Sequence, residues 1–256
     1  MSKNFELMQR AGRAWEIGPV PKKNEPVPLV VRKETWEGVR TGARLDIDQL
    51  AREETLRLVQ RIFLLQTQEP PRVVVFAGID HGNGCSRICA QAAEALQGNA
   101  QGSICVVEAN LRSPSLPKMF GTTNHYGLTD ALTGDGPIRS FAKPLQKSNM
   151  WLLSSGSLVA DSHGLLNSDH LRLRFEELRS EFDYVLVDAP PLTRYSDAVG
   201  LGKVADGLVL VLEANSTRRD ATLRVSENLQ AANVRVLGAV LNKRTFPIPH
   251  SLYNRF

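Results

Sequence analysis

The stretch Val73-Val-Val-Phe-Ala-Gly-Ile-Asp-His-Gly-Asn-Gly-Cys-Ser-Arg-Ile-Cys-Ala90 decides the fold of this chain. It begins as a continuous apolar run, passes through a turn that contains three glycines, and continues as the start of a helix. In this order, backbone N–H groups of the turn and of the helix N-terminus converge on one point, where they can bind phosphate groups. The stretch therefore predicts an α/β domain built around a phosphate-binding loop, or P-loop.

The loop departs from the usual pattern at one position. A P-loop ends in Gly-Lys-Ser or Gly-Lys-Thr, whereas this one ends in Gly84-Cys85-Ser86. A charge-assisted hydrogen bond is worth about 1.5–3 kcal/mol, so we expect loss of the lysine to weaken nucleotide binding about 10–100-fold. Asp80 adds a negative charge beside the phosphates. A second interpretation of Cys85 is that the helix N-terminus lowers the pKa of its thiol and makes it oxidisable.

Composition limits the classes of protein to be considered. With 256 residues and 42% hydrophobic content, the chain can bury one full core. The net charge is only +4 and no dense run of Lys and Arg appears, so we expect no nucleic-acid partner. The three cysteines are typical of a reducing compartment, and no apolar run approaches the ~20 residues that span a bilayer. We expect a cytoplasmic protein that reaches the inner face of the membrane only through a partner.

The chain divides into three predicted parts. Residues 1–44 are rich in Pro, Lys, Glu and Gly and predict a flexible arm. Residues 45–243 predict the P-loop domain, which begins with an amphipathic helix over 46–66. Residues 244–256 form a C-terminal tail.

Within the domain, strands and helices alternate. Continuous apolar runs predict strands at 73–77, 103–109, 150–154, 183–188, 207–213 and 235–241. Helices are predicted between them at 85–97, 128–133, 169–181, 197–204 and 218–232, the last with Thr217 as its N-cap. This alternation predicts a doubly wound, mostly parallel sheet with helices on both faces and with its site at the carboxyl ends of the strands.

Four polar segments follow predicted strands and should meet at that edge: 78–86, 108–112, 188–191 and 241–243. An acidic side chain at the end of a buried strand is costly unless it holds a metal ion, water or hydrogen-bond donors. In phosphate chemistry such an Asp fixes Mg²⁺ together with the loop Ser or Thr. We therefore predict that Asp188 and Ser86 hold Mg²⁺ if the ion binds.

Several motifs lie in register along the chain: 81–86 (HGNGCS), 108–114 (EANLRSP), 127–134 (GLTDALTG) and 183–191 (DYVLVDAPP). Together they make the chain resemble the cytoplasmic domain of bacterial tyrosine kinases of capsule and exopolysaccharide synthesis, which belong with the MinD/ParA-type ATPases. The resemblance covers residues from about 53 to 243. It departs from the family at Cys85, and at Asn110, where the family carries an Asp.

The resemblance implies ATP and Mg²⁺ as cofactors and a set of site residues. The implied nucleotide-binding residues are Gly82, Asn83, Gly84, Cys85, Ser86, Arg87, Arg112 and Asn242. Glu108 and Asp188 are implied as catalytic carboxylates, vestigial or weak. Kinases of the family carry several tail tyrosines that accept phosphate, and the corresponding candidate is Tyr253.

The leading hypothesis is a degenerate kinase-like protein with weak or no ATP hydrolysis, which regulates or scaffolds exopolysaccharide synthesis and export. Its expected partner is a membrane-bound polysaccharide co-polymerase or an active kinase homologue. The helix 46–66 could mediate self-association, although the family's Glu-x-x-Arg-x-x-Arg pattern ends here in Gln60. The alternatives are an active ATP-dependent tyrosine autokinase and a ParA/MinD-like positioning ATPase.

Overall fold

A computed structural model describes residues 47–65, 70–145, 149–157, 161–166 and 168–244. The predicted arm at 1–44 lies outside these residues, as do Tyr253 and all of the tail except Arg244. In the part of the chain that is described, no helix is both long enough and apolar enough to cross a lipid bilayer.

A seven-stranded sheet forms the centre of the described chain. Its strands are β1 (Val73–Gly78), β2 (Ile104–Glu108), β3 (Lys143–Pro144), β4 (Met150–Leu153), β5 (Tyr184–Ala189), β6 (Gly207–Glu213) and β7 (Val236–Asn242). Their order is β3-β4-β2-β5-β1-β6-β7, and every neighbouring pair is parallel except β3 and β4. The mostly parallel sheet is confirmed, and each of the six predicted strands is found within one residue of its predicted ends. The two-residue strand β3 was not predicted.

Helices connect the strands. They are α1 (Ile47–Val59), α2 (Cys85–Asn99), α3 (Leu116–Met119), α4 (Leu128–Thr133), α5 (Ser162–Leu166), α6 (Asp169–Glu181), α7 (Asp197–Val204) and α8 (Arg219–Ala231). A π-helical segment, Gln60–Leu64, continues α1, and a 3₁₀ turn covers Ile138–Phe141. The short helices α3 and α5 were not predicted, because one turn of helix leaves little periodicity in a sequence.

The core lies on both faces of the sheet, as the doubly wound prediction requires. On one face, Val59, Ile62 and Phe63 of the first helical segment pack with α2 against the strands. On the other face, residues of α4, α6, α7 and α8 pack against the alternate side chains of the same strands. Every residue of β1 and β2 is buried, which explains why these strands are continuous apolar runs.

Thr217 does not cap α8 as predicted. The N-cap residue is Arg218, and no side chain caps this helix. The Thr217 hydroxyl instead accepts hydrogen bonds from the backbone N–H of Glu213 at 2.8 Å and from Nδ2 of Asn83 at 2.9 Å. Thr217 therefore closes the turn after β6 and attaches it to the P-loop.

Arg174 of α6 anchors the segment that carries the Gly127–Gly134 motif. Its guanidinium is almost buried and donates to three backbone carbonyls, those of Ala131, Gly134 and Gly136, at 2.6–2.7 Å. We predict that Arg174→Met lowers the free energy of unfolding by about 2–4 kcal/mol, because it leaves these carbonyls without donors. Urea unfolding measures the effect. The exposed Arg172→Met on the same helix should change stability little, and equal effects of the two substitutions would contradict the prediction.

Candidate functional site

The P-loop connects β1 to α2 and has the backbone shape that its glycines predict. Gly82 and Gly84 have φ angles of 86° and 82°, in the left-handed region that disfavours other residues. A side chain at Gly84 would also collide with Asn242, whose Nδ2 lies 2.5 Å from the position of an added Cβ. Gly84 is thus required both by its backbone angle and by the close approach of β7.

Asn83 holds the loop in this shape. Its side chain is buried, its Oδ1 accepts from the N–H of Asp80 at 3.0 Å, and its Nδ2 donates to Thr217. Its backbone carbonyl accepts from Nδ2 of Asn242 at 2.8 Å. The turn after β6 and the end of β7 therefore support the loop, and this support uses the Asn242 amide that the resemblance assigns to nucleotide.

A further support comes from the segment that follows β5. The Thr193 hydroxyl lies 2.9 Å both from the carbonyl of Ile79 and from Oδ1 of Asp80. The negative side chain of Asp80 is therefore held at the P-loop. Neither Thr193 nor Thr217 was identified from the sequence as a site residue. Each contacts a P-loop residue that lies more than 100 positions earlier in the sequence.

Two carboxyl groups stand side by side at the carboxyl edge of the sheet. Glu108 ends β2, and it pairs in register with Asp188 of β5. Both side chains are fully buried. Asp188 lies near Cys85 and Ser86 of the P-loop, and both groups affect its pKa. This position supports the sequence prediction that the strand ends meet the P-loop.

Asp188 is the unsatisfied member of the pair. Burial raises its pKa to about 6, against smaller lowering effects of the nearby Ser86 hydroxyl and Cys85 thiol. Neither group meets hydrogen-bond geometry, so within the described residues both carboxylate oxygens are buried without a hydrogen-bond partner. A buried carboxylate of this kind is costly, and a bound cation would remove the cost.

Glu108, in contrast, has a structural task. Its Oε2 accepts from the N–H groups of Ser115 and Leu116 at 2.7 and 2.9 Å, and its Oε1 accepts from the N–H of Asn110 at 3.2 Å. Burial, followed by the charge of Asp188, raises the pKa of Glu108 to about 8 in spite of these bonds. Glu108 thus fastens the loop after β2 to the start of α3.

The Cys85 thiol lies next to Asp188, and the prediction of a lowered pKa is wrong. Burial, followed by the charge of Asp188, raises the pKa of this thiol well above its usual value. The helix N-terminus is outweighed because the thiol is desolvated, although Cys85 as a whole is only half-buried, and because the nearest charge is negative. Position 85 therefore contributes a neutral group where the P-loop pattern has an ammonium.

The basic residues expected at the site are placed elsewhere. Arg87 is exposed on α2, and Lys243 pairs with Glu213 at 3.1 Å. Arg112 pairs with the buried carboxylate of Asp197. Among the described residues, none of these three cations forms an ion pair or hydrogen bond with the P-loop.

A groove of about 300 Å³ lies between the ends of β6 and β7. Its lining includes Thr217 and Leu241, which adjoin the loop through the contacts of Thr217 with Asn83 and of Asn242 with Asn83. Leu241 is a little over half exposed. The rest of the lining mixes apolar and polar residues: Leu212, Ala214, Glu213, Asn215 and Arg244.

The sequence of this chain is similar to a family of P-loop NTPases and to several known proteins. A family model described as ParA, NUBPL iron-transfer P-loop NTPase, matches residues 71–254. The curated relatives include the tyrosine-protein kinase YwqD of Bacillus subtilis (strain 168), 28% identical over 153 residues, or 60% of this chain and 64% of YwqD. They also include the succinoglycan biosynthesis transport protein ExoP of Rhizobium meliloti (strain 1021), 29% identical over 67% of this chain. The match spans less than two thirds of YwqD and only 22% of ExoP.

A solved structure shows the same fold. The chimerical protein CapA2B2 superposes with a TM-score of 0.71, at 22% identity, over 76% of this chain and 85% of that chain. At this level of identity the similarity concerns the fold.

Proposed function

Because this chain belongs to the ParA family of P-loop NTPases, we propose that it is a degenerate, kinase-like member of that family with a regulatory or scaffolding role. Its place would be in the synthesis and export of an exopolysaccharide. Two relatives support this choice, since one is a tyrosine-protein kinase and the other a succinoglycan biosynthesis transport protein.

The residues present fit a nucleotide and Mg²⁺ in part. Gly82, Gly84 and the start of α2 form the cradle for phosphates, and the groove beside Thr217 would take the base. Ser86 and Asp188 would hold Mg²⁺, because the two oxygens of Asp188 are buried without partners among the described residues. Bound there, the ion would neutralise phosphate charge.

The observation that carries the proposal of weak or no hydrolysis is the neutral Cys85 thiol beside Asp188. In phosphoryl transfer, charge develops on the transferred group and fixed cations stabilise it. Here the corresponding side chain is uncharged, while Arg112 is held by Asp197 and Asp80 adds a negative charge to the loop. The loop would therefore bind a triphosphate weakly and stabilise the transition state poorly.

A protein of this kind would act through its contacts. We propose a membrane-bound polysaccharide co-polymerase or an active kinase homologue as the partner, with 45–243 as the docking domain and 1–44 and 244–256 as flanking segments. Self-association through the first helix is part of the proposal. Arg57 of α1 pairs with Glu54 of the same helix at 2.7 Å, and a second copy would have to compete for it.

Two measurements test the proposal. Purified protein with Mg-ATP should show no hydrolysis above the rate of an Asp188→Asn variant, measured as phosphate release. Co-expression with an active homologous kinase from the same host should change the phosphotyrosine content of that kinase, measured by mass spectrometry. Hydrolysis at the rate of an active relative, or no effect on the homologue, would contradict the proposed role.

The second candidate function is an active tyrosine autokinase. The buried carboxylate of Asp188 lies next to Ser86 and has no hydrogen-bond partner in the described part of the chain. This arrangement favours the second candidate, because a protein that does not bind Mg²⁺ gains nothing from it. Tyr253 would be the acceptor. Phosphorylated Tyr253 in protein from its own host, absent in Asp188→Asn, would establish this candidate in place of the first.

A further inference from the structure

A second group of polar side chains lies at the carboxyl edge of the sheet, in the other half from the P-loop. Arg112 follows β2, His163 lies in α5 after β4, and Tyr195 and Asp197 follow β5. These segments follow the consecutive strands β4-β2-β5, whereas the P-loop follows β1 and its supports follow β5, β6 and β7, so the two groups adjoin at β5. No role of His163, Tyr195 or Asp197 is predicted from the sequence.

Asp197 is the centre of this group. Its side chain is fully buried, and its two oxygens contact two different basic side chains. Oδ2 accepts from Nη1 of Arg112, and Oδ1 lies 2.7 Å from Nδ1 of His163. One carboxylate thus joins the three loops that follow β2, β4 and β5.

Arg112 is fixed but retains most of its donors. A guanidinium has five N–H donors in a planar fork, and among the described residues only Asp197 accepts one from Arg112. The ring of Tyr195 lies 4.2 Å from the guanidinium carbon and fixes its plane. The Arg112 side chain is 28% exposed, so a ligand can reach it from solvent.

We propose that Arg112, positioned by Asp197 and Tyr195, binds a phosphate monoester, the phosphotyrosine side chain of a partner protein. A planar guanidinium forms two parallel hydrogen bonds with phosphate oxygens, which the unused donors of Arg112 allow. His163, on the same carboxylate and 56% exposed, places a second basic group nearby. The choice of phosphotyrosine rests on the proposed function, because a kinase relative produces that group.

The proposal gives this chain a way to sense a phosphorylated partner without transferring phosphate itself. The P-loop half of the edge has lost its lysine, whereas the Arg112 half keeps a guanidinium fixed on two sides. Loss of catalysis and retention of recognition are therefore compatible in one domain.

The test is a titration of the full chain with O-phosphotyrosine and with phenyl phosphate, followed by NMR at the arginine Nε–Hε groups. We expect the Arg112 signal to shift. Arg112→Lys should weaken binding at least tenfold, because an ammonium keeps the charge but loses the fork. Asp197→Asn should weaken it about 3–10-fold by loosening the guanidinium, with a circular dichroism spectrum like that of the wild type.

Arg139→Gln is the matched control. Arg139 also lies over an aromatic ring, that of Trp151 at 4.6 Å, but its carboxylate partner Glu181 is exposed. This variant should bind phosphotyrosine as the wild type does. Equal losses in the Arg139 and Arg112 variants would show a general effect of positive charge and would overturn the proposal.

Three further ligands separate the sources of phosphate. Unphosphorylated tyrosine should not bind, and inorganic phosphate should bind more weakly than phosphotyrosine. ATP should not displace phosphotyrosine from Arg112; if it does, Arg112 belongs to the nucleotide site and the inference is wrong. ATP hydrolysis by the same sample tests the proposed function separately, so that active hydrolysis with intact phosphotyrosine binding would overturn only the former.

Discussion

Replacing Cys85 by lysine is expected to raise the affinity for Mg-ATP by about 10–100-fold, the equivalent of one charge-assisted hydrogen bond. The thiol that lysine replaces is neutral and lies beside the Asp188 carboxylate. The loop around it is already shaped by Asn83, Thr217 and Asn242. We therefore expect the P-loop backbone to accept the new ammonium group without rearrangement. Isothermal titration calorimetry measures the gain in affinity for Mg-ATP.

Cys85→Met is the control for this experiment. It adds length at the same position without adding charge, so it should leave the affinity for Mg-ATP as low as in the wild type or lower. Tight binding by the wild type, equal to that of the lysine variant, would show that another cation serves the loop. Equal gains in the methionine and lysine variants would show that shape and not charge limits binding.

The same substitution has a consequence in the absence of nucleotide. In Cys85→Lys, the ammonium can pair with the carboxylate of Asp188, whose oxygens have no partner among the described residues. An opposite charge nearby favours the ionised form and lowers the pKa of the carboxyl group. We therefore propose one origin for the expected low nucleotide affinity and for the unsatisfied carboxylate, the missing charge at position 85.

Much of the fold follows from the sequence because the strands are buried on both faces. The continuous apolar runs of β1, β5 and β6 identify strands whose neighbours are parallel and whose loops meet at one edge. The glycines at 82 and 84 identify the P-loop, since few other residues adopt its backbone angles. Local patterns of this kind are visible in one sequence.

What escaped prediction depends on contacts that leave no pattern in the sequence, whether the partners are near or distant along the chain. Glu108 is a plausible catalytic acid from its place after a strand, but the structure also shows it accepting three backbone N–H groups. The motif 108–114 predicts that Arg112 lies near the nucleotide site. In the structure, Arg112 pairs with Asp197, which lies 85 positions later in the sequence. Strand β3 lies at the edge of the sheet, where Pro144 can lack an N–H group without losing a hydrogen bond. With only two residues, this strand shows no alternation of apolar and polar residues that would identify it in the sequence.

The two parts of the carboxyl edge of the sheet differ in how their acidic groups are paired with basic ones. At the P-loop, Asp80 and Asp188 are acidic groups without a basic partner among the described residues. In the other half, the carboxylate of Asp197 is matched by Arg112 and His163. The negative charge of Asp80 and Asp188 and the missing lysine are the reasons for the proposed weak binding of a polyanionic nucleotide at the P-loop.

Replacing Asp188 by asparagine is expected to stabilise the protein at pH 8 by about 2–3 kcal/mol when Mg²⁺ is absent. Burial raises the pKa of Asp188 from 3.8 to about 6, so the folded protein holds this proton at pH values where the unfolded chain has released it. Stability from this group therefore falls as the pH rises from about 4 to about 6, and the full cost remains above that range. Asparagine carries no charge and avoids the cost.

Urea unfolding at pH 4.5, 6 and 8 in the presence of EDTA measures the difference between wild type and Asp188→Asn. The gain should be largest at pH 8 and should shrink toward pH 4.5, where the folded wild type is protonated. Mg²⁺ should stabilise the wild type and leave the variant unchanged, because only the carboxylate offers the ion a charged ligand.

Asp183→Asn, just before the other end of β5, is the control, and its expected effect has the opposite sign. Hydrogen bonds from Ser103 lower the pKa of Asp183. The ionised form of Asp183 therefore stabilises the folded state at pH values above the usual pKa of a carboxyl group. This variant should be slightly less stable than the wild type at pH 8. If Asp188→Asn is also less stable there, the Asp188 carboxylate has a partner in solution, and the reason for expecting a cation at this site is lost.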